Sequence, residues 1–371
     1  MRLLINSGRA IPVFKKREKL LTQMQKKEVD LYLCGFEENA EQECKKHNVQ
    51  FIRVPISRAG LNPFADIKVC YKYYKAIKEA QVDAVHSYTA KPNIYTSIAA
   101  KMAGVKQIYP TVNGLGYAFT EGQGKKNRLI RIVMCVLYKL SFANATKVFF
   151  QNNDDAEELV FRKIVKKEQC VVVAGSGIDL QEFPYCECGD SPVFFLASRL
   201  LITKGLRTYF AAAKIAKQKY PEARFLLAGD FDPNPDGISK EELEQYTKDG
   251  SIEYLGLVKD MKTALKKCSV FVLPSYYREG VPHAILEAMS TGRAIITTDA
   301  PGCKETVNGK NGFLIEPRNS EQLAEKMIWM IEHPAEVKRM GKESRRYAEE
   351  RFDVEKVNQV MLETMGMGEV K

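Results

Sequence analysis

The sequence predicts an α/β protein that consists of two Rossmann-like domains in tandem. Short apolar segments alternate with helix-forming segments along the chain, which is typical of parallel βαβ units. The turn-rich stretch 184–192 (PYCECGDSP) interrupts this alternation, which then starts afresh. A length of 371 residues suits two domains of ordinary size.

The first domain is predicted from seven apolar strands with helices between several of them. The strands are expected at 1–8, 30–35, 49–56, 83–88, 106–114, 147–152 and 170–175, and the helices at 16–29, 63–80, 92–104 and 129–143. Gly104 follows the third helix, where glycine commonly ends a helix.

The second domain repeats the alternation. Strands are expected at 193–200, 223–230, 251–256, 270–275, 294–299 and 312–317, and helices near 205–220, 260–267, 282–291 and 320–332. The charged tail from about 336 to 368 is predicted to be helical. Two such domains in tandem predict a cleft, with ligands beyond the carboxyl ends of the strands.

Composition and charge narrow the class of protein. No stretch approaches ~18 consecutive apolar residues, so no membrane-spanning helix is expected. The opening segment 1–14 does not resemble a secretory leader. The nine cysteines lack paired C-x-x-C motifs and are expected to be free thiols in a reducing cytoplasm.

Positive charge is concentrated in the first part of the chain. Residues 1–150 hold 25 Lys and Arg against 11 Asp and Glu, a net charge of +14, and the remainder holds 31 against 35, a net charge of −4. The first domain could therefore meet nucleic acid, anionic lipid or a phosphorylated substrate.

Residues 279–287 (EGVPHAILE) give the strongest indication of function. A buried strand is expected to end before this segment, and a helix to begin near Pro282, since proline is favoured in the first helical turn. Free backbone N–H groups at Gly280, at Val281 and after Pro282, together with the helix dipole, would form an anion site suited to a diphosphate.

Two glutamates bracket this turn. Glu279 lies just before the helix and Glu287 about a turn and a half inside it. A carboxylate suits vicinal hydroxyls, so one could bind a donor sugar and the other a ribose diol. Arg199 and Lys204, after the first strand of the second domain, would balance the charge. The alternative is a helix whose first turn merely favours acids.

The segment EGVPHAILE resembles the E-x7-E motif of the retaining nucleotide-sugar glycosyltransferases of glycosyltransferase family four. The flanking LPS, GRAIITTD and NGFLIEP, and the Arg199/Lys204 pair, are also similar to that family. The resemblance covers the whole chain and implies a GT-B fold. It implies domains at 1–185 and 192–352, facing across a cleft, with a C-terminal helix, 353–371, returning to the first domain.

The resemblance also implies roles for individual residues. Arg199 and Lys204 would contact the diphosphate of a UDP-sugar, Glu287 the ribose and Glu279 the donor sugar. Gly8, in the first strand–loop, would let the first domain close on the phosphates. Neither a cofactor nor a metal is expected.

Three segments of the first domain resemble bacterial enzymes that extend sugars linked to undecaprenyl diphosphate, in O-antigen, capsule or N-glycan assembly. They are SRAGLNPF, SYTAKPNIYTSIAAKMAGV and TVNGLGYAFTE. Such enzymes transfer GalNAc or GlcNAc from UDP. Many family members carry His-Gly where this chain has Asn113-Gly114. The catalytic role often given to that histidine therefore cannot be assigned to a residue at this position. Candidate acceptor contacts are His86, Lys91, Asn93, Asn113 and Gly114.

Three other features have simpler readings beside a functional one. Asp230-x-Asp232 in 229–233 matches a metal-binding signature of another glycosyltransferase class but is interpreted as a turn. Cys303 is expected to be chemically inert, with backbone N–H groups at 302–304 available to sugar hydroxyls. The segment 125–142 is predicted to form either a helix that packs in the core or an interfacial helix that lies on anionic lipid.

Together these features predict a retaining glycosyltransferase that moves an N-acetylhexosamine from UDP to a sugar on undecaprenyl diphosphate. It would lie in the cytoplasm, peripheral to the inner membrane, which it would contact through the basic domain and 125–142. No nucleic-acid partner is expected. The alternatives are a non-catalytic binder of membrane or nucleic acid, and a GT-B UDP-sugar epimerase.

Overall fold

The computed structural model describes residues 1–55, 63–120, 124–234 and 236–368, with the side chains at 63 and 124–126 also outside the description. Most of the segment SRAGLNPF therefore lies outside the described residues. None of the described helices has the length and apolarity needed to cross a bilayer.

The chain forms two compact units. The first comprises Met1–Ser176 together with Val357–Lys371, and the second comprises Gly177–Lys356. The boundary expected at 185 was wrong by nine residues, because the segment after Ser176 packs on the second unit. Ser290 Oγ donates a hydrogen bond to the carbonyl of Phe183 at 2.6 Å, and Arg345 Nη1 donates to the same carbonyl at 3.1 Å.

The first unit contains a seven-stranded parallel sheet. Its order is β3-β2-β1-β4-β5-β6-β7, so the chain moves outward from the middle in one direction and then in the other. The strands are β1 (Arg2–Asn6), β2 (Asp30–Gly35), β3 (Gln50–Arg53), β4 (Ala84–Tyr88), β5 (Gln107–Val112), β6 (Val148–Phe150) and β7 (Cys170–Val172). All seven lie within the predicted strands.

Helices cover both faces of this sheet. They are α1 (Ile11–Lys26), α2 (Ala40–Lys46), α3 (Pro63–Ala80), α4 (Ala90–Ala103), α5 (Gly124–Phe142) and α6 (Asn153–Phe161). Residues of α3, α4, α5 and α6 share one apolar core, whereas those of α1 and α2 belong to another. The short helices α2 and α6 were not predicted, because few apolar residues mark their buried sides.

The second unit contains a six-stranded parallel sheet of order β10-β9-β8-β11-β12-β13. The strands are β8 (Val193–Ala197), β9 (Arg224–Ala228), β10 (Glu253–Tyr254), β11 (Val270–Leu273), β12 (Ala294–Thr298) and β13 (Gly312–Ile315). The helices are α7 (Leu206–Lys219), α8 (Lys240–Lys248), α9 (Met261–Lys266), α10 (His283–Ser290), α11 (Ser320–Glu332) and α12 (Pro334–Tyr347). Helix α8 was not predicted.

The tail is helical, as the sequence predicts, and it consists of two helices with a break between them. Helix α12 runs into a π-helical turn, Ala348–Phe352, before α13 (Val354–Thr364) begins. At this break Ile178 N donates to the Phe352 carbonyl at 2.7 Å, and Val354 N donates to the Ile178 carbonyl at 3.1 Å. Beyond the break, Val357, Met361 and Leu362 pack in the core of the first unit beside α1 and α2.

Both units therefore have the doubly wound Rossmann-like architecture that the sequence predicts. In such sheets the strand order reverses beside the first strand, and ligands bind at the carboxyl ends of the strands there. In the second unit this point lies between β8 and β11, which pair in parallel. The loops that follow these two strands contain Arg199, Lys204 and Glu279.

Candidate functional site

An ion pair joins the loops that follow β8 and β11. Lys204 Nζ lies 2.6 Å from Glu279 Oε2, and the two side chains are 13% and 12% exposed. Ser275 Oγ donates to the other oxygen of Glu279, Oε1, at 2.6 Å. Because both carboxylate oxygens accept a hydrogen bond, the direction of the carboxylate is fixed.

Close backbone approach makes this pair possible. Gly205 has φ +80°, and a Cβ atom there would lie 2.0 Å from the carbonyl oxygen of Pro274. The carbonyl of Thr203 also accepts from Tyr276 N at 3.0 Å and Tyr277 N at 3.1 Å. Glycine at 205 therefore lets the Lys204 loop lie directly against the loop that ends in Glu279.

A third loop, after β9, supports the lysine loop from the other side. Asp236 Oδ2 accepts from Thr203 N at 3.1 Å, and the Asp236 carbonyl accepts from Ile202 N at 2.8 Å. Thr203 is buried, so one residue joins the three loops. Sequence reasoning missed Thr203, Asp236 and Ser275. Of these three residues, only Ser275 could have been found from the sequence, because it belongs to the segment LPS that is similar to the family.

Arg199 lies in the same lysine loop with a different partner. Its Nη1 is 2.9 Å from Asp232 Oδ2, and its side chain is 58% exposed. Asp232 Oδ1 accepts from Asn234 N at 3.0 Å, and Asp230 Oδ1 accepts from Phe231 N at 2.9 Å. The two aspartates thus shape a turn. Within the described ranges, no three His, Cys, Asp or Glu side chains cluster as a metal site would require.

The turn before α10 is packed tightly against its neighbour. Pro282 caps the helix, which begins at His283. Gly302 has φ +78°, and a Cβ atom there would lie 1.5 Å from the carbonyl oxygen of Gly280. Val281 is buried. The loops after β11 and β12 therefore lie in contact, which places residues 302–304 beside Glu279.

Glu287 lies on α10 with a partner of its own. Its Oε1 is 3.5 Å from His283 Nε2, one turn earlier on the helix, and its side chain is 18% exposed. Cys303, in the loop after β12, is fully buried. Burial, and then the charge of Glu279, raises the pKa of the Cys303 thiol to about 12. The thiol is therefore neutral at physiological pH.

Two predicted acceptor contacts in the first unit were wrong. His86 is fully buried, and its Nε2 lies 2.8 Å from Thr111 Oγ1. Burial, and then the nearby Arg17, lowers the pKa of His86 to about 3. Asn93 is also buried, and its amide donates to the Thr111 carbonyl at 2.8 Å. Neither side chain reaches the surface, where an acceptor would bind.

The other predicted residues of the first unit are more accessible. Lys91 Nζ pairs with Asp66 Oδ1 at 2.9 Å, and the lysine side chain is 15% exposed. Asn113 is exposed and Gly114 is half-buried with φ +96°. Gly8 has φ +77°, and its N–H donates to Asn6 Oδ1 at 2.9 Å. Their roles stay predictions.

The fold and the site define an α/β protein of two doubly wound units, with Lys204 and Glu279 paired at the carboxyl ends of strands in the second unit. Two family models match the chain. The model of the glycosyl transferases group 1 matches residues 179–347, and the glycosyl transferase 4-like model matches residues 8–152. The two matches fall in the two units.

Two bacterial enzymes are similar over much of their length. One is the N,N'-diacetylbacillosaminyl-diphospho-undecaprenol alpha-1,3-N-acetylgalactosaminyltransferase of Campylobacter jejuni, 30% identical over 348 residues that cover 90% of each chain. Another is the UDP-Gal:alpha-D-GlcNAc-diphosphoundecaprenol alpha-1,3-galactosyltransferase of Escherichia coli, 30% identical over 72% of this chain and 71% of the relative. The chain therefore belongs to this family of glycosyltransferases, as its E-x7-E motif indicated.

Solved structures support the fold. HepE of Anabaena in complex with UDP is 19% identical, with a TM-score of 0.77 over 99% of this chain and 100% of that one. A sucrose-phosphate synthase of Thermosynechococcus elongatus is 17% identical, with a TM-score of 0.79 over 98% of both chains. The GT-B fold predicted from the sequence is confirmed.

Proposed function

We propose that this glycosyltransferase moves an N-acetylhexosamine, GalNAc or GlcNAc, from UDP to a sugar on undecaprenyl diphosphate, with retention of configuration. The observation that carries the donor assignment is the Lys204–Glu279 pair at the carboxyl ends of β8 and β11. It places one cation and one well-oriented carboxylate side by side, as a sugar diphosphate requires.

The residues of the second unit divide the donor between them. Lys204 and Arg199 neutralise the diphosphate, and backbone N–H groups at Gly280, at Val281 and after Pro282 add donors to it. Glu279 accepts hydrogen bonds from the donor sugar, and Glu287 accepts them from the ribose diol. When the diphosphate arrives, it competes with Asp232 for Arg199, whose exposed side chain is free to turn.

Transfer follows from this arrangement. The acceptor hydroxyl oxygen forms a bond to the anomeric carbon on the face from which the diphosphate leaves, and the bond from that carbon to the UDP oxygen breaks. The hydroxyl proton passes to the departing phosphate. Lys204 and Arg199 stabilise the negative charge that develops on UDP, which lowers the barrier. Buried His86 takes no part in this proton transfer.

The acceptor is assigned to the basic first unit. Both relatives are named for acceptors linked to diphospho-undecaprenol, and the charge of +14 over residues 1–150 suits a lipid diphosphate at an anionic surface. Lys91, Asn113 and Gly114 remain candidate contacts. Helix α5, which contains residues 125–142, is assigned to the cytoplasmic face of the inner membrane, since it exposes Leu129, Val136 and Leu140 to solvent.

A panel of UDP-sugars tests the proposal. Purified protein is incubated with each UDP-sugar and with a short-chain polyprenyl-diphosphate sugar, and the lipid products are identified by mass spectrometry. We expect the acceptor to gain one N-acetylhexosamine with UDP-GalNAc or UDP-GlcNAc, and Glu279→Ala to abolish most of the gain. Addition from a different UDP-sugar would overturn the donor assignment. An epimerised UDP-sugar formed without acceptor would favour the epimerase.

A further inference from the structure

Helix α3 carries a row of large apolar side chains that the described residues leave exposed. Phe64, Ile67 and Tyr71 recur at a helical spacing and are 81%, 66% and 54% exposed. The opposite side of the same helix holds the buried residues Val69, Tyr73 and Ile77. Helix α3 is therefore anchored to the core by one apolar stripe and presents a second one to solvent.

Helix α5 repeats this arrangement. Its exposed stripe consists of Leu129, Ile132, Val133, Val136 and Leu140, and its buried side includes Tyr138 and Phe142. Helix α4 lies between the two, since α3 packs against α4 and α4 against α5. All three contribute to one core on the same face of the sheet, so the exposed stripes of α3 and α5 point away from the sheet on the same side.

Basic side chains accompany both stripes. Lys68, Lys72 and Lys75 on α3 are exposed, as are Arg128 and Lys139 on α5. The two acids of α3 do not offset them, because Asp66 is buried against Lys91 and Glu79 lies at the helix end. The described part of α5 contains no acid. Apolar residues flanked by cations are typical of helices that lie in an anionic bilayer interface.

We infer that α3 and α5 together form a two-helix surface that docks on an anionic membrane. The inference extends the proposed function, which assigns the membrane contact to α5 and leaves α3 without a role. Pairing with a second copy of this surface fits less well, because a two-fold contact would bring like charges together. Contacts through two helices would also fix the orientation of the first unit on the bilayer, which a single helix cannot do.

Binding to vesicles tests this surface without any sugar substrate. Vesicles of phosphatidylethanolamine with phosphatidylglycerol are sedimented with the protein and compared with phosphatidylcholine vesicles. The variants are Ile67→Ser on α3 and Val136→Ser on α5. The matched control is Val360→Ser, because Val360 is 41% exposed on α13, which packs on the opposite side of the sheet. Circular dichroism checks that all three variants remain folded.

We expect the anionic vesicles to bind the wild type and the control equally. Each of the two test variants should reduce the partition coefficient about fivefold, since each removes apolar area that would enter the interface. Binding lost in Val136→Ser but unchanged in Ile67→Ser would overturn the role of α3. Equal binding to phosphatidylcholine would overturn the charge argument. If light scattering shows a dimer for the wild type and the control but a monomer for the two test variants, the partner of this surface is a second copy of the chain.

The outcome is independent of the proposed sugar transfer. Vesicle binding without transfer to the polyprenyl acceptor would leave the surface standing and remove the substrate assignment. Transfer to a detergent-solubilised acceptor without vesicle binding would support the substrate assignment and overturn the membrane-docking surface.

Discussion

Lys204 and Glu279 are 75 residues apart in the chain, yet Lys204 Nζ lies 2.6 Å from Glu279 Oε2 at the carboxyl ends of two inner strands of the second sheet. Each side chain comes from the loop after a different strand, and Thr203 joins the backbones of both loops. The pair brings together the phosphate-binding cation and the sugar-binding carboxylate of the proposed donor site.

Removing the lysine should impair transfer strongly. We expect Lys204→Ala to lower kcat/KM for the UDP-sugar at least tenfold, or ~1.4 kcal/mol, because the charge on departing UDP loses its nearest cation. Steady-state kinetics measure the effect. Lys214→Ala is the matched control, since Lys214 pairs with Asp249 at 3.5 Å on the surface of the same unit. Near-normal turnover by folded Lys204→Ala would contradict the site.

Removing the hydroxyl of Ser275 should release one oxygen of Glu279. A hydrogen bond to a charged group contributes about 2 kcal/mol, so Ser275→Ala should reduce kcat about 30-fold. The affinity for UDP alone should change little, because Glu279 is assigned to the sugar and not to the nucleotide. Kinetics and calorimetry with UDP separate the two. Ser251→Ala, at another buried serine of this unit, should leave both values unchanged.

A methyl group at Gly205 should separate the two loops. Gly205→Ala places a carbon where the Pro274 carbonyl lies, whereas Gly309 has nearly the same φ, +81°, with no atom within 4 Å of a Cβ. Both variants pay a backbone strain of ~1–2 kcal/mol. We expect Gly205→Ala to lower the free energy of unfolding, measured in urea, clearly more than Gly309→Ala does. Gly205→Ala should also weaken UDP binding. Equal losses in the two variants would contradict the close approach.

Burial of His86 should make stability depend on pH. Its pKa is about 3 in the folded protein but ~6.5 in an unfolded chain. Below ~6.5 the unfolded state therefore binds a proton that the folded state refuses, and the free energy of unfolding falls as the pH drops. The loss from this residue should be about 2 kcal/mol between pH 7 and pH 5.

Urea unfolding of the wild type and of His86→Gln at the two pH values measures this difference. The variant should lack this part of the pH dependence, whereas the same substitution at exposed His333 should retain it. If the wild type and His86→Gln lose the same free energy between the two pH values, His86 is not buried in its neutral form.

Transfer should not require a divalent metal. Lys204 and Arg199 are assigned the charge compensation that a metal supplies in other nucleotide-sugar enzymes, and Asp230 and Asp232 are engaged in their own turn. We expect activity to survive EDTA and dialysis within a factor of about two. A strong loss that Mg²⁺ or Mn²⁺ restores would contradict this prediction, and Asp230→Asn would then identify whether the turn holds the ion.

The sequence by itself determined the architecture and the donor motif. Strand–helix alternation depends on local apolar periodicity, and the segment 279–287 combines a turn, a helix start and two acids within nine residues. Such features depend on neighbours in the chain, so they can be predicted without knowledge of the packing. Dependence on local periodicity is also why α2 and α6 were not predicted, since their short buried sides contain too few apolar residues to show a helical period.

Only the tertiary structure decided which residues meet and which are covered. Asp236 and Ser275 support Lys204 and Glu279 across loops that are distant in sequence, and His86 is enclosed by packing from other strands and helices. The two apolar stripes of α3 look alike in sequence, and the fold alone decides that Tyr73 is buried while Tyr71 is exposed. Burial and long-range contacts arise from the assembly of the sheet and its helices, which no local pattern encodes.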